Sequence, residues 1–199
     1  MSGLSCDGAR RICRATRILL TFVACAGLAV SSVAVVAQTR PAAHAPAKPA
    51  AKPAASNAPK SIGKFEDWTA ATHAESGQTV CYAFTRAQSS SPALPGRGDV
   101  VLTVTQRPSG RDAVAISAGF TFAANAEVMV TADKAELPFY TNARSAFARD
   151  GHAATTAFGT ARQAVAKSPG PKATAVTDTF SLRGYPAAYA AINKACPAK

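Results

Sequence analysis

Residues suited to acid–base or nucleophilic chemistry are few in this chain and widely spaced. The histidines are His44, His73 and His152. None has the two-histidine helical spacing of a zinc hydrolase, and none lies beside cysteine ligands, so no metal site is read from them. His152 follows Asp150-Gly151 and, with a distant serine, would make a hydrolase set; His73 is the other candidate base. A solvated turn is the simpler account of Asp150 and His152. Glu66 and Asp67 adjoin in an expected strand, so they point to opposite faces and do not form a carboxylate pair. No nucleophile elbow, phosphate loop or dinucleotide fingerprint occurs. The expectation is no catalytic, metal-binding or cofactor-binding residue, and no enzyme. Arg97-Gly98-Asp99 is the tripeptide that integrins read, but Gly-Asp ahead of a Val100 strand is also ordinary turn chemistry.

Residues 18–37 are twenty positions without a charge, preceded by Arg10, Arg11, Arg14 and Arg17. A positive start, an apolar stretch and the small-residue exit Val35-Val36-Ala37 compose a secretory signal peptide over residues 1–37, with the mature chain beginning near Gln38. An uncleaved anchor and lipidation at Cys25 are the alternatives. Export leads to an oxidising space, periplasmic or outer-envelope associated. Only Cys81 and Cys196 survive cleavage, and two thiols there make one disulfide most simply, two free thiols otherwise. Closing a loop of more than one hundred residues is worth about 4–5 kcal/mol in the chain-entropy account.

The formal charge of +11 suggests nucleic acid until it is located. The signal segment holds four Arg against one Asp. Residues 38–64 add Arg40, Lys48, Lys52, Lys60 and Lys64 with no acid. Residues 65–199 are close to balance and show no basic stripe interleaved with aromatics, so no nucleic-acid partner is expected. The Pro/Ala/Lys alternation of residues 38–64, with Pro41, Pro46, Pro49, Pro53 and Pro59, favours extended, solvated chain and reads as a semi-rigid linker. A cationic arm touching an anionic envelope surface is the functional alternative.

The remaining residues suffice for a single domain. Val80, Tyr82 and Phe84 alternate along one expected strand, Val100, Leu102 and Val104 along another. Val114 with Ile116, and Val128 with Val130, continue the pattern of half-buried antiparallel strands. Glu75-Ser76-Gly77-Gln78, Pro108-Ser109-Gly110 and Ala132-Asp133-Lys134-Ala135 are turn signals. A helix is expected between Thr155 and Lys167, ended by Ser168-Pro169-Gly170-Pro171. A second carries Tyr185, Ala188, Tyr189, Ile192 and Ala195 on one face, with Pro186 in its first turn. The fold expected is a mostly β, antiparallel sandwich-like domain with one or two short helices, the C-terminal one packed on the sheet.

The stretch Asp178-Thr179-Phe180-Ser181-Leu182-Arg183-Gly184-Tyr185-Pro186-Ala187-Ala188-Tyr189 resembles the closing signature of the invasion-associated locus B family of exported alphaproteobacterial proteins. Asp67-Trp68, Cys81-Tyr82-Ala83, Arg107-Pro108, Gly119-Phe120 and Ser145 to Asp150 fall in the family's order. The resemblance implies a secreted, periplasmic or envelope-associated β-rich domain over residues 65–199, without known catalytic residues or cofactor. The role expected is binding or structural support, with an envelope protein or polysaccharide as the partner. Physically its residues read as scaffold. Trp68, Phe180, Leu182, Tyr185 and Tyr189 would pack, Gly184 would turn the strand into the helix, and Asp178 on an apolar face needs a partner. Many members carry further cysteines; this chain has none at 70–72 or 140–147, which leaves Cys81 with Cys196. Alternative functions are a surface-exposed adhesion or invasion factor and a periplasmic hydrolase.

Overall fold

The computed structural model describes residues 58–198; the signal segment, the exit at Ala37, Cys25, His44 and most of the expected linker lie outside the described residues. The first strand, β1 (Lys60–Phe65), begins inside the stretch read as linker and forms a hairpin with β2 (Trp68–Glu75). Then come β3 (Gln78–Ser91), β4 (Val101–Arg107), β5 (Gly110–Ser117), β6 (Glu127–Ala132), β7 (Ala135–Asn142) and β8 (Ser145–Ala148). The helix α1 (Gly151–Thr160), β9 (Gln163–Pro169), β10 (Ala175–Ser181) and the helix α2 (Tyr185–Ala195) complete the fold. Among the described residues no helix is long and apolar enough to cross a membrane.

A sandwich was expected, and the sheet instead closes into a barrel. Strand order runs β1-β2-β3-β10-β9-β6-β7-β8-β5-β4, and β4 returns to pair with β3. The long β3 makes this possible. Along one edge it pairs with β2 from Gln78 to Phe84, then with β10 from Ala87 to Ser91. Its other edge takes β4 from Cys81 to Arg86. Eight antiparallel strands therefore form the ring, and β1-β2 extends it as a flange. Alternating sequence serves a sandwich and a barrel equally; closure depends on one strand sharing an edge between two neighbours.

The expected inner faces of β4, β5 and β6 are buried, including Leu102, Val104, Ile116 and Val130. In β3 the face differs from expectation. Cys81, Ala83 and Thr85 point inward and are buried, whereas Tyr82 and Phe84 are half-buried on the outer wall. Small side chains sit inside because α2 packs against β1, β2 and β3 there and needs the room. The turns at Ser76-Gly77, Pro108-Ser109 and Asp133-Lys134 lie where turn chemistry placed them. Glu66 and Asp67 form the β1–β2 turn rather than a strand, with Glu66 at φ 49°.

The first helix also departs from expectation. It starts at Gly151, where the Asp150 carboxylate accepts from the Ala153 amide at 2.9 Å, and it stops before Ala161. Val165 belongs to β9, whose inner face is Ala164, Ala166 and Ser168. Small residues with Ala at every second position carry little periodic signal, so a strand read as helix. The C-terminal helix stands as expected, with Tyr185, Ala188 and Ile192 buried. Gly184 precedes it at φ 82°, and a Cβ there would lie 2.1 Å from the Phe65 carbonyl oxygen. Only glycine serves both demands.

Candidate functional site

The residues that carry the sequence resemblance gather at two places in the barrel. At one end, α2 is fixed by the Cys81–Cys196 disulfide, with Cα atoms 5.9 Å apart across 115 residues of sequence. Trp68 is fully buried, donates from Nε1 to the Ser181 carbonyl at 3.0 Å and meets Tyr185 edge-on at 4.9 Å. Phe180 and Leu182 are buried in the same core, though Leu182 lies just past the end of β10. Burial pushes the Tyr185 phenol well above its ordinary value, with the nearby Tyr189 and Asp112 adding to it, so it stays neutral.

Toward the far end of β3, Asp178 finds its partner in Arg97. The guanidinium donates Nη1 to Oδ1 at 2.8 Å and Nη2 to Oδ2 at 2.7 Å, a two-pronged pair at 6% and 3% side-chain exposure. The Ser90 hydroxyl adds 2.7 Å to Oδ1, Arg97 Nε donates to the Ala118 carbonyl, and the guanidinium sits 4.9 Å over Phe120. The integrin-type tripeptide is thereby split. Arg97 is spent inside the fold, and Asp99 pairs on the surface with Arg86 at 3.0 Å.

The alternative hydrolase set of Asp150 and His152 is not assembled among the described residues. Asp150 caps α1, and the His152 ring, 84% exposed, faces Asp112 at 3.3 Å from Nδ1. Asp112 was not foreseen. It is a hub in which Tyr189 Oη and Gln106 Nε2 both donate to Oδ1 at 2.6 Å, while the Asp112 amide donates to Gln106 Oε1 at 2.9 Å. Burial alone would raise this carboxyl; hydrogen bonds from Tyr189, Gln106 and His152 outweigh it and hold the pKa below the ordinary value. Burial, and then the bond to Asp112, pushes Tyr189 up. The hub joins β4, β5, α1 and α2. Among the described residues no serine, threonine or cysteine side chain meets the His152 ring. His73 lies in β2, edge-on to Tyr82 at 5.4 Å between ring centres. A polar residue in the buried register of β4, Gln106, was the one available signal for the hub.

What remains open is the outer wall. Tyr82 stacks on Phe84 with centroids 6.1 Å apart and planes 26° from parallel. By register Phe84 is flanked by Thr69 and Thr103, and Tyr82 by Ala71 and Thr105. Within the described residues the hydroxyls of Thr69, Thr103, Thr105 and Tyr82 have no hydrogen-bond partner. Two cations beside the rings are already paired, Arg107 with Glu75 at 2.7 Å and Arg86 with Asp99, while Lys64, opposite Thr69 on β1, has no ion-pair partner among the described residues. A shallow groove lined by Pro59, His73, Tyr82, Thr103, Thr105 and Arg107 runs beside the rings. A second ring pair, Tyr140 on Phe147, lies on β7 and β8 beneath the Arg149–Glu127 ion pair.

No protein-family model matches the chain, and no curated protein matches it. Among solved structures, the crystal structure of invasion associated protein b from Bartonella henselae matches at a TM-score of 0.50 and 14% identity, over 67% of this chain and 95% of that one. The fold is similar to that of an invasion-associated protein B. The resemblance read from the Asp178–Tyr189 stretch thus has its counterpart in the fold.

Proposed function

We propose that this chain is an exported, envelope-associated protein of the invasion-associated locus B type that acts by binding rather than by catalysis. One observation carries the reading: the half-exposed Tyr82–Phe84 platform with unpartnered hydroxyls, on a molecule whose most conspicuous polar clusters, at Asp178 and Asp112, are tied into the scaffold. The signal-like residues 1–37 and the Cys81–Cys196 bridge agree with an oxidising compartment. The cationic residues 38–57 act as a tether in this reading.

The test is expression of the full chain in a Gram-negative host, followed by fractionation, N-terminal sequencing and thiol titration. The expected result is a periplasmic or outer-envelope product starting near Gln38 with no free thiol, retained on envelope material by the parent and released in Tyr82→Ala. A reduced, uncleaved cytosolic product overturns the export reading. A broad hydrolase screen whose signal vanishes in His152→Ala overturns the non-catalytic one.

A further inference from the structure

We propose that the Tyr82–Phe84 platform is a subsite for a neutral glycan; this deepens the binding reading and rests on it. Three features of the platform select the ligand. Its size comes first: three strands about 4.8 Å apart and two outward rows give a footprint on the order of 200 Å². A stable protein partner covers about 800 Å² on each side, so the platform suits a narrow ligand. Charge is the second. Arg107 and Arg86 are both paired with their own carboxylates, so the cations beside the rings are spent within the fold; Lys64, without an ion-pair partner among the described residues, lies opposite Thr69 on β1, two strands from Phe84. The third is hydrogen bonding. The backbone of β2, β3 and β4 is spent in the ladder, so a peptide cannot add here as a strand, and recognition falls to side chains.

Those side chains are two near-parallel rings bordered by free hydroxyls on both sides. The apolar C–H face of a pyranose fits the electron-rich face of an aromatic ring, while its equatorial hydroxyls need donors and acceptors at the ring's edge. Thr69, Thr103, Thr105 and the Tyr82 phenol stand in those positions. The inner-facing threonine of β3 is a useful contrast, because Thr85 Oγ1 already donates to the Asp67 carbonyl at 2.8 Å. Hydroxyls on the wall are therefore left over by the fold, and a sugar chain is the ligand that uses them together with the rings. The Tyr140–Phe147 pair lacks this setting, since an ion pair overhangs it and its cross-strand neighbours are Glu127 and Ala115 rather than threonines.

The experiment titrates the disulfide-intact mature protein with cellohexaose, with the N-acetylglucosamine hexamer and with an anionic hyaluronan oligomer, reading amide shifts by NMR. A neutral hexamer is expected to saturate shifts at Phe84, Thr103 and Thr105 with millimolar or tighter affinity. Thr105→Val keeps strand shape and should weaken binding about three- to tenfold. Tyr82→Ala should weaken it about tenfold, and Tyr140→Ala should leave it unchanged. Absence of saturable shifts with both neutral hexamers, shifts confined elsewhere, or tighter binding of the anionic oligomer overturns the proposal. If neither hexamer binds while Tyr82→Ala still abolishes envelope retention, the glycan assignment fails and the binding reading stands. Self-association of the parent that is lost in Tyr82→Ala would make the occupant a second copy and likewise overturn it.

Discussion

Replacing Arg97 with methionine removes a buried charge while keeping most of the apolar stem. Asp178, 3% exposed, is left with the Ser90 hydroxyl as its side-chain partner. Breaking one side of a buried pair costs about 3–5 kcal/mol, because the remaining charge is desolvated and uncompensated. For a domain of this size 1 kcal/mol moves the midpoint by roughly 3–4 °C, so the expected loss is about 10–20 °C. Asp178→Leu alone strands the Arg97 guanidinium and should cost a similar amount. The double variant removes both charges. It forfeits the bonds to Ser90 and the Ala118 carbonyl, about 1 kcal/mol each, and regains apolar contact, so its net cost should be about 1–2 kcal/mol. The double variant is therefore predicted to be more stable than either single one. Thermal unfolding by circular dichroism, with the disulfide intact, measures all four corners of the cycle. Additive single costs, or singles that lose less than about 1 kcal/mol, would refute the account of Asp178 as a desolvated charge held by Arg97.

Three further outcomes follow from named contacts. The Cys81→Ala/Cys196→Ala protein should lose about 4–5 kcal/mol by the loop-entropy argument, measured as the shift in urea midpoint against the oxidised parent; a loss below about 1 kcal/mol would show that α2 is held by packing alone. Gly184→Ala should destabilise by at least about 2 kcal/mol, since a positive φ and the Phe65 carbonyl both oppose a Cβ; soluble protein with an unchanged midpoint would contradict this. Asp112 supplies the pH test. Its carboxyl is held below its unfolded value of about 4, so its contribution is present above that pH and is lost as pH falls through the folded value. Urea midpoints followed from neutral pH into acid should fall less steeply in Asp112→Asn than in the parent, and identical slopes below about pH 4 would remove the hub from acid unfolding.

Residue types made the core and the turns legible more readily than the closure. Leu102, Val104, Ile116 and Val130 advertise inward faces because branched apolar side chains alternate with threonine and alanine. The face of β3 was misread for a physical reason: larger Tyr82 and Phe84 lie outside because α2 and the bridge occupy the inside, and no local pattern encodes that tertiary claim. In β9, Ala164, Ala166 and Ser168 line the core, and their small size erased the two-residue period. Asp178 was legible as a buried charge needing a partner, but the partner is 81 residues away in a loop. Asp112 was invisible because its importance comes from four elements converging, with φ 54° at the start of β5.

Closure of the barrel narrows where recognition can occur. Each of the eight ring strands pairs on both sides for at least part of its length, and the flange edge at β1 carries Lys60 and Lys64 and a bulge between Ser61 and Gly63, devices that discourage strand addition. One end is sealed around α2, and the Arg97–Asp178 pair ties the β3–β4 loop down elsewhere. The interior is packed with Phe139, Phe158, Phe180 and Leu102, each fully buried. In the glycan reading proposed above, recognition rests on side chains of the outer wall, where a single platform buries little area. Affinity per site should then be modest, and tight retention in an envelope would have to come from many copies meeting a repeating ligand. A polysaccharide supplies that repetition and a lone small molecule does not, so retention should rise steeply with the chain length of the glycan.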